Sequence, residues 1–299
     1  MIASSTRRDD ALDRLSQGIA RLTSSDAWRS WLRVQARFHS YSFSNAILIL
    51  GQHPAASRVA GFHTWRRLGR HVLRGQHAIW ILAPVRRRVK TGDGPDDAAP
   101  VVAGFRPVPV FDIAQTEGEA LPEVCTRLVG DDPLGAYDRL VQVAGSIGFT
   151  VQEHAFRGEK NGDCAHRTRS IRVATRLAPA HRVKTLAHEL AHALLHADAG
   201  AERGLKELEA ESVAFIVCDA LGIQADDWTF GYVAGWAGGG DAAVAAIKAA
   251  GTRIQRTAAR ILAGVEHQSP ELAERAGQDD ACVSASATHL SECGEQVEL

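Results

Sequence analysis

The sequence lacks an apolar run long enough to cross a membrane. Its longest apolar stretches, AILIL and AIWILAPV, fall far short of the roughly 20 residues that a spanning helix needs. The N-terminal MIASSTRRDDALDRL is polar and does not resemble a secretory signal. We therefore expect a cytoplasmic protein without a membrane partner.

Cysteine is sparse and unpatterned. The five cysteines are odd in number, widely separated and never in CxxC spacing, which argues against a disulfide framework and against a thiolate zinc site. They are expected to be ordinary thiols; they stand at positions 125, 164, 218, 282 and 293.

Acidic residues are missing from one long window. Residues 27–92 contain no Asp or Glu, whereas they carry twelve Arg and Lys, five His and eight of the eighteen aromatic residues. Residues 1–90 contain 16 basic and 4 acidic residues, and residues 91–299 contain 18 basic and 31 acidic ones. The net charge of −1 therefore hides two regions with different electrostatic roles.

Clustered cations and aromatic rings are what a nucleic-acid surface requires. The densest cluster lies around one predicted turn from helix to strand and is the best candidate for contacts with DNA: Trp65, Arg66, Arg67, Arg70 and Arg74. Two simpler explanations compete with this interpretation. Arginine outnumbers lysine 29 to 5 along the whole chain, and Trp28, Trp31 and Trp80 can fill a core instead of stacking on bases.

The hydrophobic periodicity predicts an α+β fold. Helices are expected after Ser24, from Ser44, over HTWRRLG, within DPLGAYDRLVQVAGSIG, and over about 178–197, 203–222 and 241–265. Strands are expected on either side of Arg74–Gly75, in VVAGFRPVPVFDI, and in FTVQEHAF and SIRVA around a polar turn at GEKNGD.

The pentapeptide HELAH, residues 188–192, is the strongest chemical signal. His188 and His192 are four residues apart, so on a helix both imidazoles can reach one ion, and Glu189 lies beside them. This arrangement is typical of metal-assisted peptide hydrolysis, in which the Glu acts as the base. The alternative is an amphipathic helix that carries two histidines by chance. Against it, the flanking residues are apolar, and buried, unpaired imidazoles are costly.

A third ligand would decide between these interpretations. His196 is one turn further along the same helix, and a straight helix cannot easily wrap three turns around a tetrahedral ion. The better source is the following helix, GLKELEAESVAFIVCDALG, which offers Glu207, Glu209 and Glu211. Three acids near a helix N-terminus can also serve only to compensate the helix dipole.

HELAHALLH followed by ELEAESVAF resembles the ImmA/IrrE family of zinc metallopeptidases. The resemblance implies Zn²⁺ held by His188, His192 and a Glu of the second helix, with Glu189 as general base. The residue four positions after the ligand is then a supporting residue, which gives Glu211 the task of orienting a histidine. Glu207 and Glu211 lie about 40° apart on a helix, and Glu209 lies about 160° from Glu207, so we expect Glu207 to be the ligand. Position 211 departs from the Asn or Asp that is more usual there.

The N-terminal half carries a second resemblance. YSFSNAILIL, VAGFHTWRRLGRHVLRGQHAIWILAPV and PVFDIAQTEG are similar to the single-stranded-DNA-binding domain of ArdC-type antirestriction proteins. This resemblance implies single-stranded DNA as a partner. The sequence departs from it at residues 74–77, where Arg-Gly-Gln-His replaces the usual Lys-Gly-Glu-Lys.

Together these features predict four segments: an N-terminal extension or helix (1–24), an ArdC-like domain (25–125), an ImmA/IrrE-like domain that is mainly helical with a small sheet (130–265), and a disordered acidic tail (266–299). The expected function is a zinc-dependent endopeptidase that acts on a protein or peptide substrate near DNA, in antirestriction, mobile-element or stress regulation. The alternative is a non-proteolytic DNA-binding protein with structural zinc. The tail either solvates the chain or folds back on the basic region.

Overall fold

The computed structural model describes residues 2–90, 98–120, 135–197, 202–223, 228, 230 and 240–267. The fold is α+β, which confirms the expected class. The chain forms two compact units. Unit 1 comprises residues 1–18 and 47–121, and unit 2 comprises residues 19–46 and 122–277, as far as these are described. None of the described helices is both long enough and apolar enough to span a bilayer.

Unit 1 is built on a long antiparallel ribbon. Strands β3 (Ile79–Lys90) and β4 (Ala98–Asp112) pair along their length with a register shift at Val85/Arg86, and the short β1 (Val59–Ala60) pairs with the other edge of β4. Strands β2 (Arg70–Val72) and β5 (Thr116–Gly118) form a separate two-stranded sheet. The short helix α4 (Phe62–Arg67) lies between β1 and β2 in the chain.

Buried polar groups fix the ends of these strands. Asp112 is 1% exposed, and its carboxylate accepts hydrogen bonds from the backbone N–H groups of Ser57, Arg58 and Ala114. Its own N–H is bound by the Gln115 side chain, so the two residues form a capping box around a single 3-10 turn. Because each of these donors has a partner, the turn that carries β4 into β5 is well defined.

Unit 2 joins a helical core to a small sheet. Strand β6 (Thr150–His154) runs parallel to β8 (Ser170–Ala174), and β7 (Gly162–Ala165) runs antiparallel to β8 on its other side. Helices α5 (Ala136–Ser146), α6 (Pro179–Leu195), α7 (Arg203–Ala220) and α8 (Gly240–Glu266) supply the core. The expected helices and strands are confirmed. Strand β7 begins inside the predicted polar turn GEKNGD, at Gly162, and the hydrophobic pattern does not predict it.

Helix α2 (Ser25–Arg37) belongs to unit 2. Trp28 and Trp31 are fully buried, and the Trp28 indole N–H donates to Ser212 Oγ of α7 at 3.0 Å. Gly251 of α8 lies against Phe43, at the start of α3 (Phe43–Gln52), so closely that an added Cβ would stand 2.3 Å from the ring. The two tryptophans are core residues, as one of the two interpretations of the sequence predicts, but the core is that of unit 2.

The helix α1 (Ile2–Ala20) accounts for most of the expected N-terminal extension. Within unit 1, Arg7 stacks over the Trp80 ring at 4.8 Å. The predicted acidic tail lies outside the described residues apart from Glu266 and His267. The expected domain limits 25–125 and 130–265 differ from the two compact units and stay a prediction.

Candidate metal centre

Helix α6 carries the HELAH motif into the core of unit 2. Pro179 stands in its first turn, where a missing N–H costs nothing, and the helix ends before His196. Its apolar residues are buried, so the polar motif residues are left along one strip that faces α7 and β7; the buried apolar residues include Val183, Leu186, Ala187, Leu190 and Ala191.

Helix α7 presents its three acids in two directions. Glu207 and Glu211 point toward the α6 histidines, whereas Glu209 is 2% exposed and turned toward α8. Side chains two residues apart on a helix lie about 160° apart around the axis, so this division follows from helix geometry. Glu207 and Glu211 therefore lie at the histidine cluster, whereas Glu209 lies in the buried contact with α8.

Three candidate ligand atoms converge at one point. His188 Nε2 lies 3.1 Å from His192 Nε2 and 3.4 Å from Glu207 Oε2, and His192 Nε2 lies 3.7 Å from the same oxygen. These three residues form a group whose ligand atoms are all within 4.8 Å of one another. The geometry thus brings together the three residues that the sequence assigned as zinc ligands; their role as ligands stays a prediction.

The far side of the His188 ring is bound by a carboxylate. His188 Nδ1 lies 3.1 Å from Glu211 Oε2, and the other oxygen of Glu211 lies 3.1 Å from Lys184 Nζ. Lys184 also stands 4.1 Å over the Trp228 ring. An ionised carboxylate only accepts, so Nδ1 of His188 carries the proton and its Nε2 can present a lone pair.

His192 is held differently, through a second histidine. Its Nδ1 lies 2.8 Å from His196 Nδ1, and His196 Nε2 lies 3.0 Å from Glu209 Oε2. Glu209 in turn accepts two hydrogen bonds from Arg253 of α8, at 2.9 and 2.5 Å. No local pattern in the sequence signals this connection, because His196, Glu209 and Arg253 are brought together only by the packing of three helices.

These residues fit a divalent cation. With Nδ1 protonated on both ligand histidines, two imidazole lone pairs and a carboxylate oxygen meet within 3.1–3.7 Å, and none of the three atoms has a proton to give. Such a cluster is repulsive unless a positive charge enters it. When no metal ion is bound, a proton on His188 can supply this charge: burial lowers the pKa of His188, but hydrogen bonds to Glu207 and Glu211 raise it more, to about 9. Two nitrogens and one carboxylate oxygen are a donor set typical of catalytic zinc.

Glu189 is buried beside this cluster. It is 7% exposed, and burial raises the pKa of its carboxyl above the usual value. Gly162 of β7 lies directly opposite, since an added Cβ there would stand 2.9 Å from Glu189 Oε1 and 2.7 Å from the Thr185 side chain. A carboxylate with a raised pKa beside a candidate metal site has the properties expected of a general base.

The cluster opens into a cavity of about 750 Å³. The cavity is lined by one wall of α6, the first turns of α7 and strand β7, which is one of the two edge strands among the described strands of its sheet. Asp163 of β7 is held there by Arg172 and Lys160, which lower its pKa to about 2 against the opposing effect of burial. A peptide in extended conformation could lie along this edge.

The residues assigned to DNA fall into three groups in unit 1. Trp65 is 2% exposed and its indole N–H donates to Phe111 O at 2.9 Å, so it is a core residue without a face for base stacking. The Arg70 guanidinium donates hydrogen bonds to the side-chain and backbone oxygens of Thr116 and to the backbone oxygens of Gly118 and Glu119. These bonds connect β2 to β5 and the residue that follows it. Arg66, Arg67 and Arg74 are exposed.

Two exposed aromatic side chains in unit 1 lie outside the residues assigned from the sequence. Phe62, four residues before Arg66 on α4, is 44% exposed, and Phe105 of β4 is 53% exposed. Phe105 pairs across the ribbon with Pro84 and is followed by Arg106. Exposed rings next to cations meet the requirement for stacking that the buried Trp65 does not.

Comparisons with known proteins match two family models to successive parts of the chain. Residues 12–110 match the family model described as the N-terminal domain of anti-restriction factor ArdC, and residues 145–218 match the IrrE N-terminal-like domain of the M78 peptidases. No curated protein matches the chain.

The solved structures similar to this chain include two of the antirestriction ArdC protein from plasmid R388. The Mn(II)-bound structure has 18% identity and a TM-score of 0.54, over 84% of this chain and 97% of that one. The metal-free structure has 19% identity and a TM-score of 0.47, over 74% of this chain and 84% of that one. The first of these likenesses shows a shared fold.

Proposed function

We propose that this chain, which joins an ArdC N-terminal domain to an IrrE-like M78 peptidase domain, is a zinc-dependent endopeptidase coupled to single-stranded DNA binding. The observation that carries the peptidase half is the convergence of His188 Nε2, His192 Nε2 and Glu207 Oε2 beside the buried Glu189. The site would hold the metal through these three atoms and leave a fourth position open to the cavity.

A bound zinc ion would acidify its water and polarise the scissile carbonyl. The chain's own contribution centres on Glu189. Its raised pKa suits it to take a proton from the attacking water, to hold it on a carboxylate oxygen, and to release it to the leaving amine. Because the carboxylate is buried, the transfer takes place where bulk water competes little.

The substrate backbone is proposed to lie along β7. That strand offers an edge next to Glu189, and Gly162 has no side chain to obstruct the approach. Main-chain hydrogen bonds along the edge would set the peptide in register with the base while leaving its side chains free. A protein substrate with an accessible extended segment is the class that this surface favours.

Zinc is proposed over manganese from the donor set. Two imidazoles and one carboxylate suit zinc, whereas Mn²⁺ favours sites richer in oxygen, and a given site generally binds Zn²⁺ more tightly than Mn²⁺. The Mn(II)-bound R388 structure makes manganese the metal to compare. Two measurements would identify the bound metal: the metal content of the purified chain, and competition between Zn²⁺ and Mn²⁺ for the site.

The DNA half of the proposal rests on the exposed cations of unit 1. Arg66, Arg67 and Arg74 lie near the exposed Phe62 in the sequence, and together they supply charge for phosphates and a ring for an unpaired base. DNA binding should show little sequence preference, because neither the cations nor the aromatic ring recognises the edges of the bases. A nucleic-acid partner in an antirestriction, mobile-element or stress setting agrees with the predicted cytoplasmic location.

The decisive experiment pairs metal analysis with the Glu189→Gln variant. The wild-type chain should retain about one zinc and cleave an unstructured protein such as casein; the variant should retain the zinc and lose about 10²- to 10⁴-fold of the rate. Zinc without proteolysis that depends on Glu189 would favour the alternative, a DNA-binding protein with structural zinc. A wild-type chain that binds no divalent metal would refute the metal centre.

A further inference from the structure

His196, Glu209 and Arg253 have no place in the ligand set, yet they form a continuous connection to it. His196 is 8% exposed and Glu209 is 2% exposed, so both polar groups are withdrawn from water. A buried carboxylate is costly unless a cation and hydrogen bonds compensate it, and Arg253 supplies both from α8. The chain thus maintains a buried polar network directly behind one proposed metal ligand.

The direction of each hydrogen bond follows from this compensation. Glu209, gripped by two N–H groups of Arg253, acts only as an acceptor, so His196 must donate through Nε2–H. A neutral His196 then accepts at Nδ1, and His192 must donate from its own Nδ1 across the 2.8 Å contact. His192 Nε2 is left with a lone pair that faces His188 and Glu207.

The reverse arrangement would disable the site. If His196 carried protons on both nitrogens, its Nδ1–H would donate to His192, whose proton would move to Nε2, where the metal must bind. The network therefore selects the tautomer of His192 as well as its ring orientation. Glu211 performs this selection directly for His188, whereas for His192 the selection requires an intermediate histidine, because Glu209 faces away from the ligands.

From these contacts, and on the basis of the proposed metal centre, we propose that Arg253, Glu209 and His196 form a positioning chain that holds His192 as the Nδ1–H tautomer with Nε2 presented to the metal. None of the three residues belongs to the proposed ligand set. Their effect passes through His192, and the arginine at the far end supplies the charge that keeps Glu209 an acceptor.

Zinc affinity of His196 variants tests this role in the full chain. His196→Phe fills the buried space but cannot accept a hydrogen bond, so the Kd for zinc, measured by competition with a chelator, should rise about 10- to 100-fold. His196→Asn can place Oδ1 where Nδ1 stood, so it should retain more of the affinity. Cobalt substitution should show an altered visible absorption spectrum for the Phe variant, since the ligand geometry changes.

The matched control is His181→Phe, on the same helix and lining the same cavity two turns before His188. Its zinc Kd and cobalt spectrum should equal those of the wild type. A folded His196→Phe chain with wild-type affinity and spectrum would overturn the positioning chain. A residue needed only for packing would tolerate Phe better than Asn, which is the opposite order.

The tautomers of His192 and His196 can also be measured in the wild type, which tests the proposal even if His196→Phe does not fold. Two-bond ¹H–¹⁵N spectra of the zinc-loaded chain should assign the proton of His192 to Nδ1 and that of His196 to Nε2. The opposite tautomer of His196 would refute the proposal. A wild-type chain without zinc affinity would refute the metal centre as well, whereas zinc binding with unchanged variants would refute the positioning chain alone.

Discussion

Glu207 and Glu209, separated by one residue on α7, are proposed to have different roles, and single amide substitutions should separate those roles. Glu207→Gln removes a charged ligand atom, so we expect zinc to be lost while the free energy of unfolding of the metal-free chain changes little, since Glu207 is half exposed. Glu209→Gln should keep its zinc at stoichiometric concentration but destabilise the metal-free chain by about 1 to 3 kcal/mol, because a charged buried hydrogen bond is weakened.

Metal content by mass spectrometry and unfolding in urea, both on the same preparations, measure the two effects. Zinc lost in Glu209→Gln but kept in Glu207→Gln would reverse the assignment of the third ligand.

Asp163 provides a prediction about pH. Arg172 and then Lys160 hold its pKa at about 2, below the usual 3.8, against the effect of burial. A carboxyl whose pKa is lower in the folded state stabilises the fold above its unfolded pKa, and that contribution is lost as pH falls from about 4 toward 2. The wild type should therefore be more stable than Asp163→Asn by a constant amount above pH 5, and the difference should shrink between pH 4 and 2. A difference that does not vary with pH would contradict the ion pair.

The residues whose placement could be predicted from sequence are those governed by local geometry. His188, Glu189 and His192 belong to one helical motif, and the division between Glu207 and Glu209 follows from the angle between their side chains. The connection from His196 through Glu209 to Arg253 joins residues of three helices, so the role of His196 could not be assigned. Trp65 was assigned to DNA with its basic, exposed neighbours, but it is 2% exposed, and its indole N–H is bound to Phe111 O, 46 residues away, which no local pattern reveals.

At the scale of elements, the periodic helices were predictable and β7 was not. Helices α6 and α7 carry long amphipathic patterns, so their limits agree with the expected ones within two residues. Strand β7 reads Gly-Asp-Cys-Ala, which lacks alternating apolar residues, and it exists because β8 and α6 lie beside it. Tertiary contacts override local propensity most easily in such short strands.

The contact between β7 and α6 gives a prediction about catalysis. Gly162→Ala would place a Cβ 2.7 Å from the Thr185 side chain and 2.9 Å from Glu189 Oε1, so the base must move or the strand must retreat. We expect proteolysis to fall by at least about tenfold while zinc content stays unchanged, because small displacements of a catalytic group are costly. Gly204→Ala is the control, since nothing lies within 4 Å of its added Cβ. Equal activity of the two variants would show that β7 does not set the position of Glu189.

Helix α4 gives a prediction about DNA. Arg66 and Arg67 are exposed, so replacing both with Gln should leave the fold intact. The slope of log K against log salt for single-stranded DNA should flatten by about 1 to 2 units, because fewer counterions are released when fewer phosphates are neutralised. Fluorescence anisotropy with an oligothymidine measures this slope. The control replaces Arg157 and Arg167, two exposed arginines of unit 2, and an equal change in both double variants would remove α4 from the binding surface.

For the whole molecule, each of the two compact units is built from segments that are not contiguous in the sequence. Residues 12–110 match one domain family, yet residues 19–46 pack with unit 2. Helix α2 joins α7 through Trp28 and Ser212, which are 184 positions apart. No local pattern reveals such a pairing, because an amphipathic helix shows that it has a buried face but not which element covers that face.

This organisation predicts that a fragment ending at residue 125 is not a stable unit. Removing α7 and α8 would uncover Trp28 and Trp31, and each buried tryptophan contributes about 4 to 6 kcal/mol through the area it withdraws from water. We expect the fragment 1–125 to show red-shifted tryptophan emission, to bind a hydrophobic dye and to lose cooperative unfolding.

The fragment 1–267 is the matched control, since it keeps every described residue of unit 2 and should have the emission and unfolding transition of the full chain. A fragment 1–125 with native emission and a cooperative transition would show instead that the contacts between α2 and α7 are dispensable. DNA binding should for this reason be measured on the full chain, where helix α2 has its partners.

The fragment 1–267 also tests the role of the acidic tail. If residues 268–299 compete with DNA for the cations of unit 1, the fragment should bind DNA more tightly than the full chain at low salt. Removing negative charge changes the affinity only where that charge approaches the binding surface.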